Sequence, residues 1–166
     1  MGFLSRLFGS ARGGHESLFS QAQAAFERDD LNSALTLLMQ EAEANPTNVA
    51  AHLLTGRCFV KAGRYPQAFQ VFSALVLHPE IRGHADLPRD EVDACFVETL
   101  LGWASRIEAT GFPDAELGLF HTAVAFYEGD AFRGRRTIEI VGLDEGLRRK
   151  MPVTETFAGL IADRTP

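Results

Sequence analysis

The residues able to do chemistry are few and badly spaced for it. His15 and Glu16 open the way a helical zinc-hydrolase signature opens, in which two histidines four residues apart bind metal and the glutamate acts as base, but Phe19 stands where the second histidine is needed. His52, His78, His84 and His121 fall at no ligand spacing. The neighbouring carboxylates Asp29 and Asp30 lie between two apolar-periodic segments, where aspartate serves turn hydrogen bonding rather than acid–base work. There is no phosphate-cradling glycine loop and no nucleophile elbow, and Gly13-Gly14 is too short and too early for a dinucleotide fingerprint. Cys58 and Cys95 sit far apart inside apolar helical patterns, so they read as buried free thiols of a reducing compartment. No catalytic residue, metal ligand or cofactor is therefore expected, and the chain reads as a non-enzyme.

Composition narrows the remaining classes. The chain has 166 residues, enough to bury a core without disulfides or metals, and 46% of them are hydrophobic. A net charge of −6 argues against a nucleic-acid partner, whose phosphates need a basic surface. No apolar run is long enough to cross a bilayer and no secretory signal is present, which leads us to expect a cytoplasmic protein. Two basic clusters, Arg133-Arg135-Arg136 and Arg148-Arg149-Lys150, read as a solvated face balanced by Asp144 and Glu145, the alternative being a dock for an acidic partner or lipid head groups.

What must be positioned, then, is a surface, and the stretch from Val49 to Pro79 indicates how. Gly56 is followed by Phe59 at helical spacing, Gly63 breaks the pattern, and Tyr65, Ala68 and Phe72 resume it. Pro66, which has a fixed φ and no amide proton, suits the first turn of a second helix. A shift of 34 residues superposes Ala22 on Gly56, Ala25 on Phe59, Asp29 on Gly63, Leu31 on Tyr65, Ala34 on Ala68 and Leu38 on Phe72, while Pro46 closes the first unit much as Pro79 closes the second. Self-similarity at this period marks a helical solenoid. On these residues the stretch from His15 to Pro79 resembles the tetratricopeptide (TPR) family, with departures at Leu18 and His52, where a tryptophan-like residue is usual, and at Gln21 and Thr55, where leucine is usual. The resemblance implies an all-α fold: a right-handed stack of antiparallel helix pairs, about three of them, plus an extra long helix and a C-terminal capping helix.

Along the chain, residues 1–14 read as an amphipathic arm and tether, with Phe3, Leu4, Leu7 and Phe8 on one face and Arg6 and Arg12 making it locally basic. Three readings stand for the arm: a membrane anchor, a peptide docking into a partner's groove, or a segment folded back on the body. Residues 15–80 hold two TPR-like repeats, with Thr47 or Asn48 capping the third helix. A connector at 81–89 follows, then a helical C-terminal part at 90–163. There a long helix runs from Pro88 to about Ala109, ended by Thr110 and Gly111, and reads as a spacer. Pro113 to Val141 reads as a degenerate third pair, Asp144 to Met151 as a charged loop, and Pro152 to Ala162 as a cap carrying Phe157, Leu160 and Ile161. Arg136 to Leu143 is β-rich, but a lone strand would lack a partner, so helix is expected.

In the family, side chains of the first helix of each pair line a groove, and the matching positions here include Phe19, Gln23, Phe26, Leu53, Arg57, Val60 and Lys61. The subgroup that clamps acidic chain termini has Lys and Asn where this chain has Phe19 and Gln23, so that specificity is absent. The resemblance implies a partner protein presenting an amphipathic helix or extended apolar segment, gripped by Phe19, Phe26, Leu53 and Val60, with an acidic group near Arg57 or Lys61. The alternative is that the chain's own C-terminal helices fill the groove. The expected function is a non-catalytic adaptor or assembly factor. The rival expectations are a membrane-peripheral accessory subunit recruited by Phe3, Leu4, Leu7 and Phe8, and a regulatory subunit toggled by a small ligand or by oxidation at Cys58 or Cys95. Partner identity and oligomeric state are not set by these patterns.

Overall fold

Capping side chains set where the first helices begin. The computed structural model describes residues 17–78, 81, 87–129 and 137–150, with only the backbone of 137, 138, 139 and 141. Ser17 opens α1 (Leu18–Glu27) by accepting the Ser20 amide at 3.1 Å. Asp30 opens α2 (Leu31–Ala44) through Ser33, whose hydroxyl and amide hold the Asp30 carboxyl below its ordinary range. Asn48 opens α3 (Val49–Lys61) through the Ala51 amide at 3.2 Å, and Pro66 lies in the first turn of α4 (Tyr65–Leu77). At the N-caps of α1, α2 and α3 a side-chain oxygen satisfies an amide that the helix itself leaves without a partner. After Pro88 come α5 (Arg89–Thr110), with Asp90 and Glu91 at its positive end, α6 (Asp114–Gly129) and α7 (Thr137–Lys150). No strand occurs among the described residues.

The repeat is carried by backbone as well as side chain. The turns α1–α2 and α3–α4 each need one left-handed residue, supplied by Asp29 at φ 65° and Gly63 at φ 69°, positions that the 34-residue shift superposes. Aspartate is among the few residues besides glycine that tolerate this conformation. Between α3 and α4 the small residue lets the helices approach, since a Cβ on Gly56 would land on the ring of Phe72.

Helices α1 and α2 pack as one antiparallel pair and α3 and α4 as the next, with α2 against α3 and α1 against α3. The first pair shares a core of Phe19, Ala22, Ala25, Ala34 and Leu38 with Ala51, Leu54 and Cys58 of α3. A larger core runs on from α4 through α7, with Phe72, Phe96, Trp103, Phe120 and Tyr127 fully buried. Phe96 is its centre: Phe69 and Phe72 meet it edge-on at 5.4 Å and 5.9 Å, and Tyr127 lies tilted against it at 5.8 Å. Edge-to-face pairs of this kind add about 0.5–1.5 kcal/mol each beyond their buried area.

Two expectations are corrected in the C-terminal part. The long helix is not a spacer: α5 packs on α3 and α4 just as α3 packs on α1 and α2, and α6 then packs on α5 and α4. Helices α5 and α6 are thus the third pair, and α7 takes the next position, against both. The stretch from Asp144 to Lys150 is not a loop but the end of α7, held by the i,i+4 pairs Asp144–Arg148 (3.0 Å) and Glu145–Arg149 (3.6 Å). Helix is also what Thr137–Leu143 adopts. The arm, the basic cluster at 133–136 and the cap expected at 152–162 lie outside the described residues.

Candidate partner-binding face

The first helices of the three pairs, α1, α3 and α5, lie side by side, and salt bridges between them fix their register. Lys61 near the end of α3 reaches Asp29, just past the end of α1, at 2.7 Å, and its ammonium lies 5.0 Å over the Phe26 ring. Arg57, one turn earlier on α3, donates to Glu91 in the first turn of α5 at 2.7 Å. Further along, Arg106 of α5 donates to the carbonyl of Gly63 in the α3–α4 turn, so α3 and α5 run parallel.

Arg106 is the hub of this contact. It also pairs with Glu116 of α6 and stacks 5.1 Å from the Tyr65 ring, while Trp103 donates its indole N–H to the same Glu116 carboxylate at 2.9 Å. Gly102 allows the approach, since a Cβ there would stand 2.6 Å from Tyr65. The guanidinium therefore ties the third pair to the second through the Gly63 carbonyl and the Tyr65 ring, while the Glu116 carboxylate and the Trp103 indole hold α5 to α6 within the third pair. None of these links was legible beforehand, because each joins residues far apart in sequence; the neighbouring Leu101-Gly102 dipeptide, with a small residue at a crossing position, was the available signal.

The expected groove residues divide into two groups. Phe19 and Leu53 are only 7% and 5% exposed and belong to the two cores. Gln23, Phe26, Arg57 and Val60 are half-buried and Lys61 is exposed. Arg57 and Lys61, expected near an acidic group of the partner, already hold Glu91 and Asp29. The described basic cluster is likewise paired internally: Arg148 with Asp144, Arg149 with Glu145, and Lys150 with Glu108 at 2.5 Å.

The described residues contain no group of three or more His, Cys, Asp or Glu side chains able to hold a metal. His121 and Asp144 do meet, but the second carboxylate oxygen of Asp144 accepts from Arg148, and together they fasten α7 to α6. Cys58 is fully buried, and burial pushes its thiol up to about 11; burial also raises Cys95, against the opposing pull of Arg57. A thiol is reactive as its thiolate, so both are poorly placed for redox signalling. No described helix is long and apolar enough to cross a membrane.

The 34-residue repeat, the alternating left-handed turns and the stacked antiparallel pairs define a TPR-like helical repeat protein. Comparison with protein families agrees: residues 1–75 match the model described as anaphase-promoting complex, cyclosome, subunit 3, a TPR-like repeat family. That similarity suggests a role in protein–protein interaction. Among curated proteins and solved structures, no match was found.

Proposed function

We propose that the protein is a non-catalytic adaptor or assembly factor that holds a segment of another protein on the free side of α1, α3 and α5. The observation that supports this is the parallel layer of first helices, where half-buried Phe26 and Val60 and exposed Leu101 are set among polar side chains. Such a surface offers apolar anchors on a rigid backbone, and its conformational cost on binding is low. Phe19 and Leu53 act from beneath, holding the helices in register rather than touching the partner.

Photo-cross-linking in the full chain tests the assignment. A photoreactive residue replacing Gln23 or Leu101 is expected to capture the partner, whereas one replacing Gln40 or Gln70, on the exposed side of α2 and α4, is not. Equal capture from both sides, or capture only from the second, would sink the assignment.

A further inference from the structure

Helix α5 contacts α3, α4, α6 and α7, yet one stripe of it stays exposed: Asp90, Ala94, Glu98, Leu101 and Ser105, spaced by three and four residues. Leu101 is 48% exposed. The bond from Arg57 to Glu91 and that from Arg106 to Gly63 set Val60 of α3 level with the α5 turns that carry Ala94 and Glu98. The charges here do not balance. Arg57, Lys61 and Arg106 are each neutralised within the fold, whereas Asp90 and Glu98 make no ion pair with any described residue. What remains for a ligand is apolar Val60, Ala94 and Leu101 beside Glu98, which pairs with no described residue, and Asp90, which faces only the helix N-terminus; this fits a basic, apolar segment and not the acidic one expected from Arg57 and Lys61.

This chain contains such a segment. Phe3, Leu4, Leu7 and Phe8 share one helical face, with Arg6 and Arg12 beside them. We infer that residues 3–8 dock on the α3–α5 stripe of their own molecule, with Arg6 and Arg12 near Asp90 and Glu98, so that an incoming partner must displace them. The inference rests on reading this layer as the partner face.

Three further observations favour that site. The outer end of the stack is not built to receive the arm: where α3 buries Ala51, Leu54 and Cys58 against the first pair, the equivalent positions of α1 are exposed Ser17, exposed Ser20 and half-buried Ala24. Reach is sufficient, because eight residues from Gly9 to Glu16 span up to about 27 Å and two helix spacings from α1 to α5 amount to about 20 Å. A segment tethered this closely has an effective concentration in the millimolar range, so even a weak contact is mostly occupied.

The test uses the full chain with a nitroxide on Ser5→Cys, the buried Cys58 and Cys95 remaining unlabelled. Paramagnetic broadening should remove most of the intensity from the amides of Ala94, Glu98, Leu101 and Ser105. Arg6→Glu with Arg12→Glu, or Leu101→Asp with helicity retained, should restore it. Intact stripe signals, with broadening elsewhere or nowhere, would overturn the inference. So would broadening seen only between labelled and isotopically marked molecules, which would place the arm on a second copy, or an arm immobilised only by vesicles of anionic lipid. The cross-linking from Gln23 and Leu101 is read independently, so loss of arm docking leaves the partner face standing.

Discussion

Replacing Gly56 by alanine adds one methyl group at the crossing of α3 and α4. A mid-helix Gly→Ala exchange alone stabilises by about 1 kcal/mol, because alanine loses less backbone entropy on folding. Here the new Cβ would fall on Cε1 and Cζ of Phe72, with Cδ1 only 3.0 Å away, well inside the roughly 3.5–4.0 Å of favourable carbon contact. Phe72 is fully buried and abuts Phe96, so its ring has no room to retreat. Overpacking of this kind costs about 1–3 kcal/mol, and with such deep overlap the upper half of that range applies. The net expectation is a loss of about 1–2 kcal/mol, read as a fall in Tm of about 2–8 °C. Gly118 of α6 and Gly142 and Gly146 of α7 provide the internal control, since an added Cβ meets nothing within 4 Å. At those sites the same exchange should gain about 0.5–1 kcal/mol. Thermal and urea unfolding followed by circular dichroism decides the matter, with Phe72→Leu completing a double-mutant cycle. Relief of the overlap predicts a favourable coupling of about 1 kcal/mol or more. A stabilised Gly56→Ala, or strictly additive effects with Phe72→Leu, would refute the packing argument.

Other outcomes follow from the same geometry. Glu116→Ala leaves Trp103 Nε1 and Arg106 without their shared acceptor, and urea unfolding should show a loss of about 1–3 kcal/mol, set by the part-buried donors stranded there; an unchanged midpoint would show that this carboxylate does not hold α5 to α6. Cys58 keeps its proton in the folded state up to about 11, against 9.0 for the ordinary thiol, so its contribution is complete below pH 9 and is lost as pH rises from there through 11. Stability of the wild-type chain should therefore fall more steeply over that window than that of Cys58→Ala, by on the order of 2 kcal/mol at the upper end, and equal slopes in chemical unfolding at a pH series would contradict it. Aromatic thiol reagents should react with neither Cys58 nor Cys95 in native buffer but with both in denaturant; rapid native labelling would show that these thiols are accessible after all.

The sequence determined those features of this protein that depend on neighbours a few residues away. Small Gly56 facing large Phe72 and a left-handed residue at 29 and 63 are local demands of one helix pair that a 34-residue period writes twice, and Pro66 in a first turn and Asn48 at an N-cap are local signals read once. Tertiary structure decided what depends on which faces meet. The 34-residue shift does not carry the helix boundaries into 89–129, because α5 is longer and its contacts with α4 are made by residues such as Phe96; only packing reveals it as the first helix of a third pair. Burial likewise separated the expected groove residues: Phe19 and Leu53 look the same in a helical pattern as Phe26 and Val60, but the facing helix covers the first two and not the second. Charge was assigned at the same level. Arg57 and Lys61 read as free cations along the chain, yet their carboxylates arrive from residues 34 and 32 positions away, while Asp90 and Glu98 pair with no described residue.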